Sequence, residues 1–441
     1  MAAKTALRII IVGAGPVGLA LATGLAKDGH SVTVLERQAS LQVTGGPIYV
    51  QPPAIRVLES FGLGDAVQSI GVAGPSIIWS YKDTSEPLLL SPHRPNHTPL
   101  STDRQTVQNV GYEGAVAAGA TVLFGKTVAS LENETTPTVR TEDGGEYSAD
   151  LIVGADGIKS KIRRLLFPDL DMDAIPSNEV IFHSDVALDE LRADTRLTGM
   201  FEHPGSCHFT FGPGRVNVLL IEPVAEGKTA AYNVVTNYGA PPTDRNASWY
   251  NPAEPSELRE LFNDFSARDR AYLEHVKSCN VWRIGTAPET PSWRSSNGRV
   301  LLIGDAAHAM LPHAGQGVSQ GIESTGVLTH LLRLARPDHG GDVPALTEGF
   351  EKLRRPRVEK VANLSQNNIK GRTLPDGPAQ EGRDAALRKM GQMPPIEWDK
   401  IEMDMTADSN SPQFMKWLTA YDIPLEVERF VKSDLVDISS S

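Results

Sequence analysis

The chain has 441 residues, of which 40% are hydrophobic and 22% are charged, so it is long enough for two or three domains with a large core. The formal net charge of −12 at pH 7 argues against a nucleic-acid-binding protein. The two cysteines, Cys207 and Cys279, exclude a disulfide framework and favour a cytoplasmic protein.

The first apolar stretch, LRIIIVGAGPVGLALATGLA at residues 7–26, has the composition of a secretory signal. Its glycines, however, are spaced as in a nucleotide-binding turn, which favours a folded segment over a targeting signal. No other run approaches the roughly 20 apolar residues that are needed to cross a bilayer. The sequence therefore predicts no transmembrane segment.

The same stretch opens a unit of strand, turn, helix and strand. LRIIIV predicts a buried parallel strand, and SVTVLER predicts a second strand that ends at Glu36. In the turn between them, Gly13 allows a tight bend, Gly15 admits a pyrophosphate, and Gly18 lets the helix pack closely. Glu36 is placed to accept hydrogen bonds from an adenosine ribose. The unit predicts a dinucleotide site and does not distinguish FAD from NAD.

Helices and strands continue through the N-terminal half. A glycine-proline loop precedes a short helix, residues 75–90 predict paired strands, and residues 101–119 predict a helix that leads into the strand ATVLFG. ADLIVGADGIKSKIRRLL then reads as strand, tight turn and helix. Its Asp156-Gly157 pair is explained equally well by an ordinary turn before a capped helix.

The second half changes pattern at about residue 180. Short alternating strands separated by turn residues predict an antiparallel sheet over residues 180–285, with one helix, EPSELRELFNDF, capped by Ser256. Parallel-strand signals return at GRVLLIGDAAHAM, and a long helix is predicted from about Val318 to Arg336. A polar helical tail follows from about Asn368.

The stretch GDAAHAMLPHAGQG, residues 304–317, has three interpretations. A metal site would use Asp305, His308 and His313, but the two histidines are five residues apart, Pro312 interrupts any helix, and no further ligand is nearby. A hydrolase would need a GxSxG turn, which the stretch lacks. In the third interpretation it is a cofactor loop, whose acid binds sugar-like hydroxyls. The following helix then points its positive end at a flat ring.

Together these motifs resemble those of the group A FAD-dependent aromatic hydroxylases. The turn at 13–18, GADGIKS at 154–160 and the loop at 304–317 carry the resemblance. FEKLRRPRVEKV and LPDGPAQEGRD, at 350–361 and 374–384, are similar to segments of the salicylate-hydroxylase-like branch that is common in fungal secondary metabolism. The matches span residues 8 to about 385.

The resemblance implies a role for each matched residue. It implies FAD contacts at Gly13, Gly15, Gly18, Glu36, Arg37, Gly46, Arg104, Asp156, Gly157, Gly304, Asp305, Pro312, Gly315, Gln316, Gly317 and Val318. The first glycines and Glu36 would hold the ADP part, Asp305 the ribityl chain, and residues 312–318 the isoalloxazine ring. Asp156 and Gly157 would also touch a passing nicotinamide cofactor. His308 and His313 would be structural, and no metal is expected.

The resemblance also implies the architecture, an α/β fold of the para-hydroxybenzoate-hydroxylase type. A Rossmann-like FAD-binding domain is expected over residues 1–75, 100–178 and 286–367. An antiparallel-sheet substrate domain is expected over residues 76–99 and 179–285. Residues 368–441 would form a helical C-terminal region.

The function implied is that of an FAD-dependent monooxygenase, which takes NADPH or NADH and molecular oxygen and uses a flavin hydroperoxide to hydroxylate or epoxidise an electron-rich aromatic. A phenol, an indole or a polyketide-type ring would be the substrate, in secondary-metabolite biosynthesis, with the protein a monomer or a homodimer. His208, Tyr232 and Tyr238 are candidate bases, although each is also explained as an ordinary polar residue of an alternating strand. The alternatives are an NAD-dependent dehydrogenase and a non-catalytic protein with an FAD-type fold.

Overall fold

The structure, a computed structural model, describes residues 6–42, 46–82, 85–94, 96–132, 135–222, 228–239, 247–334 and 342–435. The strands are β1 (Arg8–Val12), β2 (Ser31–Leu35), β3 (Pro47–Val50), β4 (Ser76–Ser80), β5 (Leu89–Ser91), β6 (Leu100–Asp103), β7 (Thr121–Leu123), β8 (Val128–Glu132), β9 (Thr138–Thr141), β10 (Glu146–Ser148), β11 (Leu151–Gly154), β12 (Ile175–Ala187), β13 (Cys207–Gly212), β14 (Arg215–Ile221), β15 (Lys228–Val235), β16 (Tyr250–Ala253), β17 (Cys279–Thr286) and β18 (Val300–Leu302). The helices are α1 (Pro16–Lys27), α2 (Pro52–Ser60), α3 (Gly64–Ile70), α4 (Arg104–Ala117), α5 (Lys161–Leu166), α6 (Leu188–Arg192), α7 (Pro255–Leu261), α8 (Ala267–Glu274), α9 (Asp305–His308), α10 (Gly317–Leu334), α11 (Val343–Arg372), α12 (Pro378–Gly391), α13 (Pro412–Thr419) and α14 (Ile423–Phe430).

A five-stranded parallel sheet lies at the centre of the first domain, in the order β18-β11-β1-β2-β7. The β-branched run Ile9–Val12 is buried, as expected for a strand that has helices on both faces. Strands β1, β11 and β18 are neighbours, so the turns that follow them meet at the carboxyl edge of the sheet. Helices α1 and α10 pack together beside these turns.

An eight-stranded sheet forms the second domain, in the order β16-β17-β12-β15-β14-β13-β4-β5. All neighbouring pairs are antiparallel except β13 and β4. One face, here called the outer face, packs on α7 and α8 through Leu219, Phe262 and Tyr272. The opposite, inner face carries Phe211, Val216 and other apolar side chains. The two faces follow from the alternation of side chains along each strand.

The C-terminal region packs back onto the first domain. Phe414 and Leu418 of α13 contact α11, and Val427 of α14 lies in the main core. In α10, the fully buried Glu323 carboxylate pairs with Arg354 at 2.9 Å and with Arg357 at 2.7 Å, both from α11. These pairs join the two long helices to each other and, through Arg357, to the carbonyl of Leu418.

The structure confirms the predicted fold class, with a Rossmann-like domain, a mainly antiparallel sheet and a helical C-terminal region. Two local predictions are wrong. Residues 101–103 are strand and not helix, because Asp103 caps α4 by accepting from the backbone N of Thr106 at 2.7 Å. Ser256 does not cap α7, which begins at Pro255 after Glu254, because proline suits the first helical position.

The predicted domain division remains a prediction. Strands β4 and β5 belong to the eight-stranded sheet, as that division requires. Its boundaries at 178, 285 and 367, however, fall inside β12, β17 and α11. Within the described ranges, no helix has the length and the apolar composition that crossing a membrane requires.

Candidate active site

The turn after β1 is shaped by its three glycines. Gly13 has a φ of 109°, and a Cβ there would lie 2.5 Å from the carbonyl oxygen of Ala155. A Cβ on Gly18 would lie 2.1 Å from the carbonyl oxygen of Gly13, so only glycine allows α1 to pack this closely. In contrast, apart from its chain neighbours no atom of the described residues would lie within 4 Å of a Cβ on Gly15. The turn therefore leaves backbone open at the positive end of α1, as a pyrophosphate requires.

Glu36 lies directly beside this turn, one residue after β2. Its carboxylate accepts from the backbone N of Ala14 and of Gln38, both at 2.8 Å. Two of its lone pairs are thereby used to fix the carboxylate, and the remaining ones point away from those amides. The neighbouring Arg37 is exposed at the rim. The position of Glu36 is consistent with the predicted contact to an adenosine ribose.

Asp156 and Gly157 form the turn after β11. The Asp156 carboxylate accepts from Ser160 Oγ at 2.5 Å and from the backbone N of Lys161 at 2.7 Å, so it closes the start of α5. Burial raises the pKa of Asp156, and these hydrogen bonds oppose the rise. Gly157 has a φ of 77° and faces open space. Asp156 thus stabilises the turn by hydrogen bonds, and the backbone of Gly157 is the part of the turn that is open to a ligand.

Asp305 follows β18 and begins α9, after Gly304 with a φ of 60°. The residue is exposed, although the protein around it desolvates the carboxyl enough to raise its pKa. Positive charge on Arg104 and Arg163 opposes that rise. A carboxylate that is surrounded by protein and yet accessible lines a cleft, where it can bind hydroxyl groups.

A buried arginine joins two of the turns that surround this cleft. Arg163 donates to the carbonyl oxygens of Ile158 at 2.6 Å, Met172 at 3.0 Å and Ala306 at 2.8 Å. The Ile158 carbonyl belongs to the turn after β11, and the Ala306 carbonyl belongs to α9, which follows β18. No role for Arg163 is predicted from the sequence, because backbone contacts of this kind leave no sequence signal.

Residues 312–316 form a compact turn that leads into α10 at Gly317. Gly315 is left-handed with a φ of 60°, and a Cβ there would lie 3.2 Å from the ring of Tyr49. Gln51 donates to the Gly315 carbonyl at 3.0 Å, which fastens β3 to this turn. Gly317 faces open space at the first position of α10, and Val318 is half-buried beside it. Pro312 is exposed, whereas Gln316 is buried and bonds to Gln320 at 3.2 Å.

The inner face of the eight-stranded sheet lies against the ribbon of β3 and β6. Tyr232 Oη donates to the carbonyl oxygen of Pro47 at 2.5 Å, and His183 stacks on the Tyr232 ring at 5.1 Å. A Cβ on Gly46 would lie 2.3 Å from His183 Nε2 and 2.6 Å from Tyr232 Oη. Gly46 is therefore required by the approach of the sheet to this loop.

Arg104 begins α4 on the same side of the molecule. Its guanidinium lies 5.4 Å from the ring centre of Trp282, whose side chain is on the inner face. Burial raises the pKa of both Asp305 and Tyr232, and the Arg104 charge is close enough to both groups to oppose that rise. The structure therefore brings Arg104, Asp305 and Tyr232 to one cleft.

His208 and Tyr238 lie elsewhere. In the register of the sheet, Phe209 is aligned with Val218 and Tyr232, so His208, one residue earlier, points to the outer face. Its Nδ1 accepts from Trp79 Nε1 at 3.1 Å, and burial lowers its pKa to about 3. Tyr238 bonds to Glu257 of α7 and packs on Phe182 of the outer core. Neither side chain is brought to the cleft.

The residues of the metal interpretation point to separate partners. His308 is buried against Trp293 at 5.1 Å, and His313 Nε2 lies 2.6 Å from a carboxylate oxygen of Glu179. In the part of the chain that the structure describes, no three His, Cys, Asp or Glu side chains are grouped as metal ligands would be. The two histidines thus act in packing and in joining the loop to β12.

Three further residues beside the cleft were not singled out from the sequence. Tyr49 of β3 and Cys207 of β13 interact through their side chains, and Arg372, the last residue of α11, lies close enough to affect the pKa of both. The alternation in CHFTFG gives one signal, since it places Cys207, Phe209 and Phe211 on one face. No pattern in the sequence predicts that Arg372 reaches them.

Comparisons with known proteins agree with this arrangement. A family model described as FAD binding domain matches residues 6–365. Salicylate hydroxylase from Pseudomonas putida is 30% identical over 375 residues, which cover 82% of this chain and 84% of that protein. The FAD-dependent monooxygenase OpS4 of Beauveria bassiana is 24% identical and covers 94% of this chain and 95% of its own length. A solved salicylate hydroxylase substrate complex has a TM-score of 0.80 at 23% identity, covering 98% of this chain and 100% of the other.

The chain belongs to the FAD-binding domain family, among the FAD-dependent aromatic hydroxylases that its motifs predict. It is accordingly an FAD-dependent monooxygenase, so the predicted enzyme class and the predicted FAD cofactor are confirmed. The open backbone at Gly15, Gly157 and Gly317 and the accessible acid at Asp305 fit FAD. These relatives support neither the dehydrogenase nor the non-catalytic alternative.

Proposed function

We propose that this enzyme inserts one atom of molecular oxygen into an electron-rich aromatic ring, with NADPH or NADH as the electron donor. The observation that carries the proposal is the position of Arg104, which contacts Trp282 on the inner sheet face and whose charge also acts on Asp305. Aromatic and aliphatic side chains cover that face, and the polar Tyr232, Arg104 and Asp305 lie at its edge. A flat apolar substrate fits between such a wall and a flavin ring.

Three groups of residues would hold FAD. The open turn at Gly13–Gly18 with Glu36 takes the ADP part, since its amides and the positive end of α1 suit a pyrophosphate. Asp305, assisted by Arg104, binds the ribityl chain. The turn before α10 lies along the ring. When bound, FAD supplies the redox chemistry that activates oxygen, and the protein supplies orientation and the exclusion of water.

On the substrate side, the side chains of the protein serve mainly to position the substrate and not to transfer protons. Burial raises the pKa of Tyr232 and keeps its hydroxyl protonated, so it serves as a donor to Pro47 and not as a base. Phe209 and Val218, its neighbours in register, give an apolar surface. The positive end of α10 would stabilise negative charge at the pyrimidine edge of the ring.

The finer parts of the proposal rest on the relatives. Salicylate hydroxylase and a fungal FAD-dependent monooxygenase are both similar along most of this chain, which favours a phenol, an indole or a polyketide-type ring in secondary-metabolite biosynthesis. Hydroxylation and epoxidation both suit this surface. A cytoplasmic location is part of the same proposal.

An absorption spectrum of the purified protein is the first test, and bound FAD is expected. NADPH or NADH oxidation is then followed against a panel of phenols, indoles and polyketide aromatics, and the products are analysed by mass spectrometry under ¹⁸O₂. Incorporation of one ¹⁸O atom per product supports the proposal. Nicotinamide oxidation that yields only hydrogen peroxide with every compound contradicts it.

A further inference from the structure

We infer that the substrate is an aromatic ring that carries an extended apolar group, and that Ile78 and Leu89 determine how long this group can be. The inference rests on the proposed function, since it takes the inner sheet face as the substrate wall. Ile78 and Leu89 would act as specificity-determining residues at the end of that wall farthest from Arg104.

A row of side chains, here called the inner row, crosses five neighbouring strands of the inner face. In the register of the sheet, Tyr232 of β15 is aligned with Val218 of β14, and Val218 with Phe209 of β13. Phe209 is in turn aligned with Ile78 of β4, and Ile78 with Leu89 of β5. Aligned side chains share a face, and four strand spacings give the inner row a length of about 19 Å.

The inner row keeps accessible surface where the rows beside it do not. Its five residues are all half-buried. Two positions away along β13, β14 and β15, on the same face, the side chains are buried. These buried neighbours are Cys207, Phe211, Val216, Leu220, Ala230 and Val234. The inner row is therefore the floor of a narrow apolar groove that runs across the strands.

Two apolar clusters border this groove. One contains Tyr49 of β3, and the other contains Leu311 and Leu387. Three residues of the inner row contact both clusters, and they are Phe209, Val218 and Tyr232. The groove thus has a wall on each side over β13, β14 and β15.

The cofactor turn at 312–316 is attached to both walls. Leu311 directly precedes the turn, and a Cβ on Gly315 within it would lie 3.2 Å from the Tyr49 ring. The ring that reacts with the cofactor therefore belongs over β13, β14 and β15. Ile78 and Leu89 lie one and two strands farther along the groove, at the edge of the sheet.

The far part of the groove ends under α12. A Cβ on Gly391, the last residue of α12, would lie 3.6 Å from a methyl carbon of Leu89. A single ring over β13–β15 would leave the apolar surface of Ile78 and Leu89 in contact with water. An apolar group attached to the ring would cover that surface, and removing both surfaces from water strengthens binding.

A series of 4-alkylphenols, from 4-methylphenol to 4-heptylphenol, tests the length of the groove. Binding to the FAD-loaded protein is measured by flavin absorbance and by calorimetry, so turnover is not needed. We expect the Kd to fall by roughly 3- to 4-fold for each added methylene until the chain reaches β5, and then to level off.

Ile78→Trp and Leu89→Trp should shorten the groove from its far end. Each should weaken the binding of 4-hexylphenol by about 10-fold or more and change that of 4-methylphenol by less than about 2-fold. Leu90→Trp is the matched control, because Leu90 is the next residue of β5, is 42% exposed and points to the opposite face. It should leave the binding of both phenols unchanged.

Three results would overturn the inference. One is a wild-type protein that binds 4-hexylphenol no more tightly than 4-methylphenol. Another is an equal loss of both phenols in Ile78→Trp and Leu89→Trp, which would show an effect on the fold. The third is a loss in Leu90→Trp as large as that in Leu89→Trp.

Any of these results leaves the monooxygenase function intact, provided that FAD is bound and oxygen is incorporated. Loss of FAD binding by the wild type would instead contradict the proposed function. The melting temperature and the flavin content of each variant are recorded. Leu89→Trp, at the edge of the sheet, decides the matter if Ile78→Trp does not fold.

Discussion

The hydroxyl of Tyr232 donates a 2.5 Å hydrogen bond to the backbone carbonyl of Pro47, and so ties the inner face of the sheet to the ribbon beside the cleft. Burial raises the pKa of Tyr232, which keeps this donor protonated over the working range of most enzymes. The side chain predicted as a candidate base is therefore held in a role that orients the loop.

Tyr232→Phe should accordingly reduce turnover without changing its pH profile. We expect unfolding to become easier by about 1 kcal/mol, the usual cost of one lost hydrogen bond, and FAD to bind a few-fold more weakly. Thermal melts, FAD titrations and the pH dependence of kcat/KM measure the three effects. Tyr238→Phe is the control, since it loses a bond to Glu257 on the outer face and should keep its FAD affinity. Disappearance of one limb of the pH profile in Tyr232→Phe would show that Tyr232 is a base.

Two aspartates beside the cleft should affect different properties when each is replaced by alanine: FAD binding for Asp305 and stability for Asp156. Asp305 is accessible and is available to the ribityl hydroxyls, so Asp305→Ala should weaken FAD binding by roughly 10- to 100-fold with little change in the melting temperature of the apoprotein. Asp156 is bonded within its own turn, so Asp156→Ala should lower the stability of the apoprotein by about 1–2 kcal/mol.

Fluorescence titration of the apoproteins with FAD, together with thermal melts, separates these outcomes. Full retention of flavin in Asp305→Ala would remove that residue from the site. A stable Asp156→Ala protein that loses FAD would show that Asp156 contacts the cofactor directly, as the family resemblance implies.

Much of the fold was predictable because its signals are local. The β-branched strand and the spacing of Gly13, Gly15 and Gly18 are read directly from the chain, since both the turn and the close helix contact require them. The compact turn within residues 304–317 was predicted in the same way. Strand alternation likewise predicts which side chains share a face.

The substrate side was less accessible to this reasoning, because it is assembled from distant parts of the chain. His208 and Tyr232 are equally plausible polar residues in the sequence, and only the register of three strands shows that they lie on opposite faces. Arg372 reaches the sheet from the end of a 30-residue helix. No local pattern encodes such a contact, so Tyr49, Cys207 and Arg372 became visible only in three dimensions.

The buried Glu323 provides a test of how the C-terminal region is held. Burial raises the pKa of the Glu323 carboxyl, but the charges of Arg357 and Arg354 lower it by more than burial raises it. The carboxyl is therefore ionised in the folded protein. Glu323→Gln would leave two buried arginines without a counter-ion, and we expect a loss of about 3–5 kcal/mol in the free energy of unfolding. Because the carboxyl pKa is lowered on folding, the stabilisation is present above its unfolded pKa and is lost as the pH falls through the folded value.

Urea unfolding and limited proteolysis measure this effect. Arg357 also donates to the Leu418 carbonyl at 2.9 Å and lies over the Tyr421 ring at 3.8 Å, so α13 and α14 should become more sensitive to protease in Glu323→Gln. Glu348→Gln is the control, because its pairs with Arg294 and Lys352 are largely at the surface and should contribute less than about 1 kcal/mol. Equal stability of the two variants would contradict the role given to Glu323.

The lowered pKa of His208 predicts how the free energy of unfolding changes as the pH is lowered. Burial, and then the charge of Arg268, lower its pKa to about 3 in the folded state, against the usual value of 6.5 for histidine. Between these values the unfolded chain binds the proton and the folded chain does not, so stability falls as the pH is lowered from about 6.5 towards about 3. The slope from this residue approaches about 1.4 kcal/mol per pH unit. His308, with a pKa also lowered to about 3 by burial and then by Arg354, adds a second slope of the same sign.

His208→Gln should remove one of these slopes while weakening the protein at neutral pH, since the bond from Trp79 is lost or lengthened. Urea unfolding at several pH values between about 7 and 4 measures both effects in the wild type and the variant. Turnover at neutral pH, scaled to the folded fraction, should be nearly unchanged, because the imidazole lies on the face of the sheet away from the cleft. A pH slope that is the same in His208→Gln as in the wild type would show that His208 binds its proton as readily in the folded protein as in the unfolded chain. A stable variant that loses turnover would return His208 to the list of catalytic candidates.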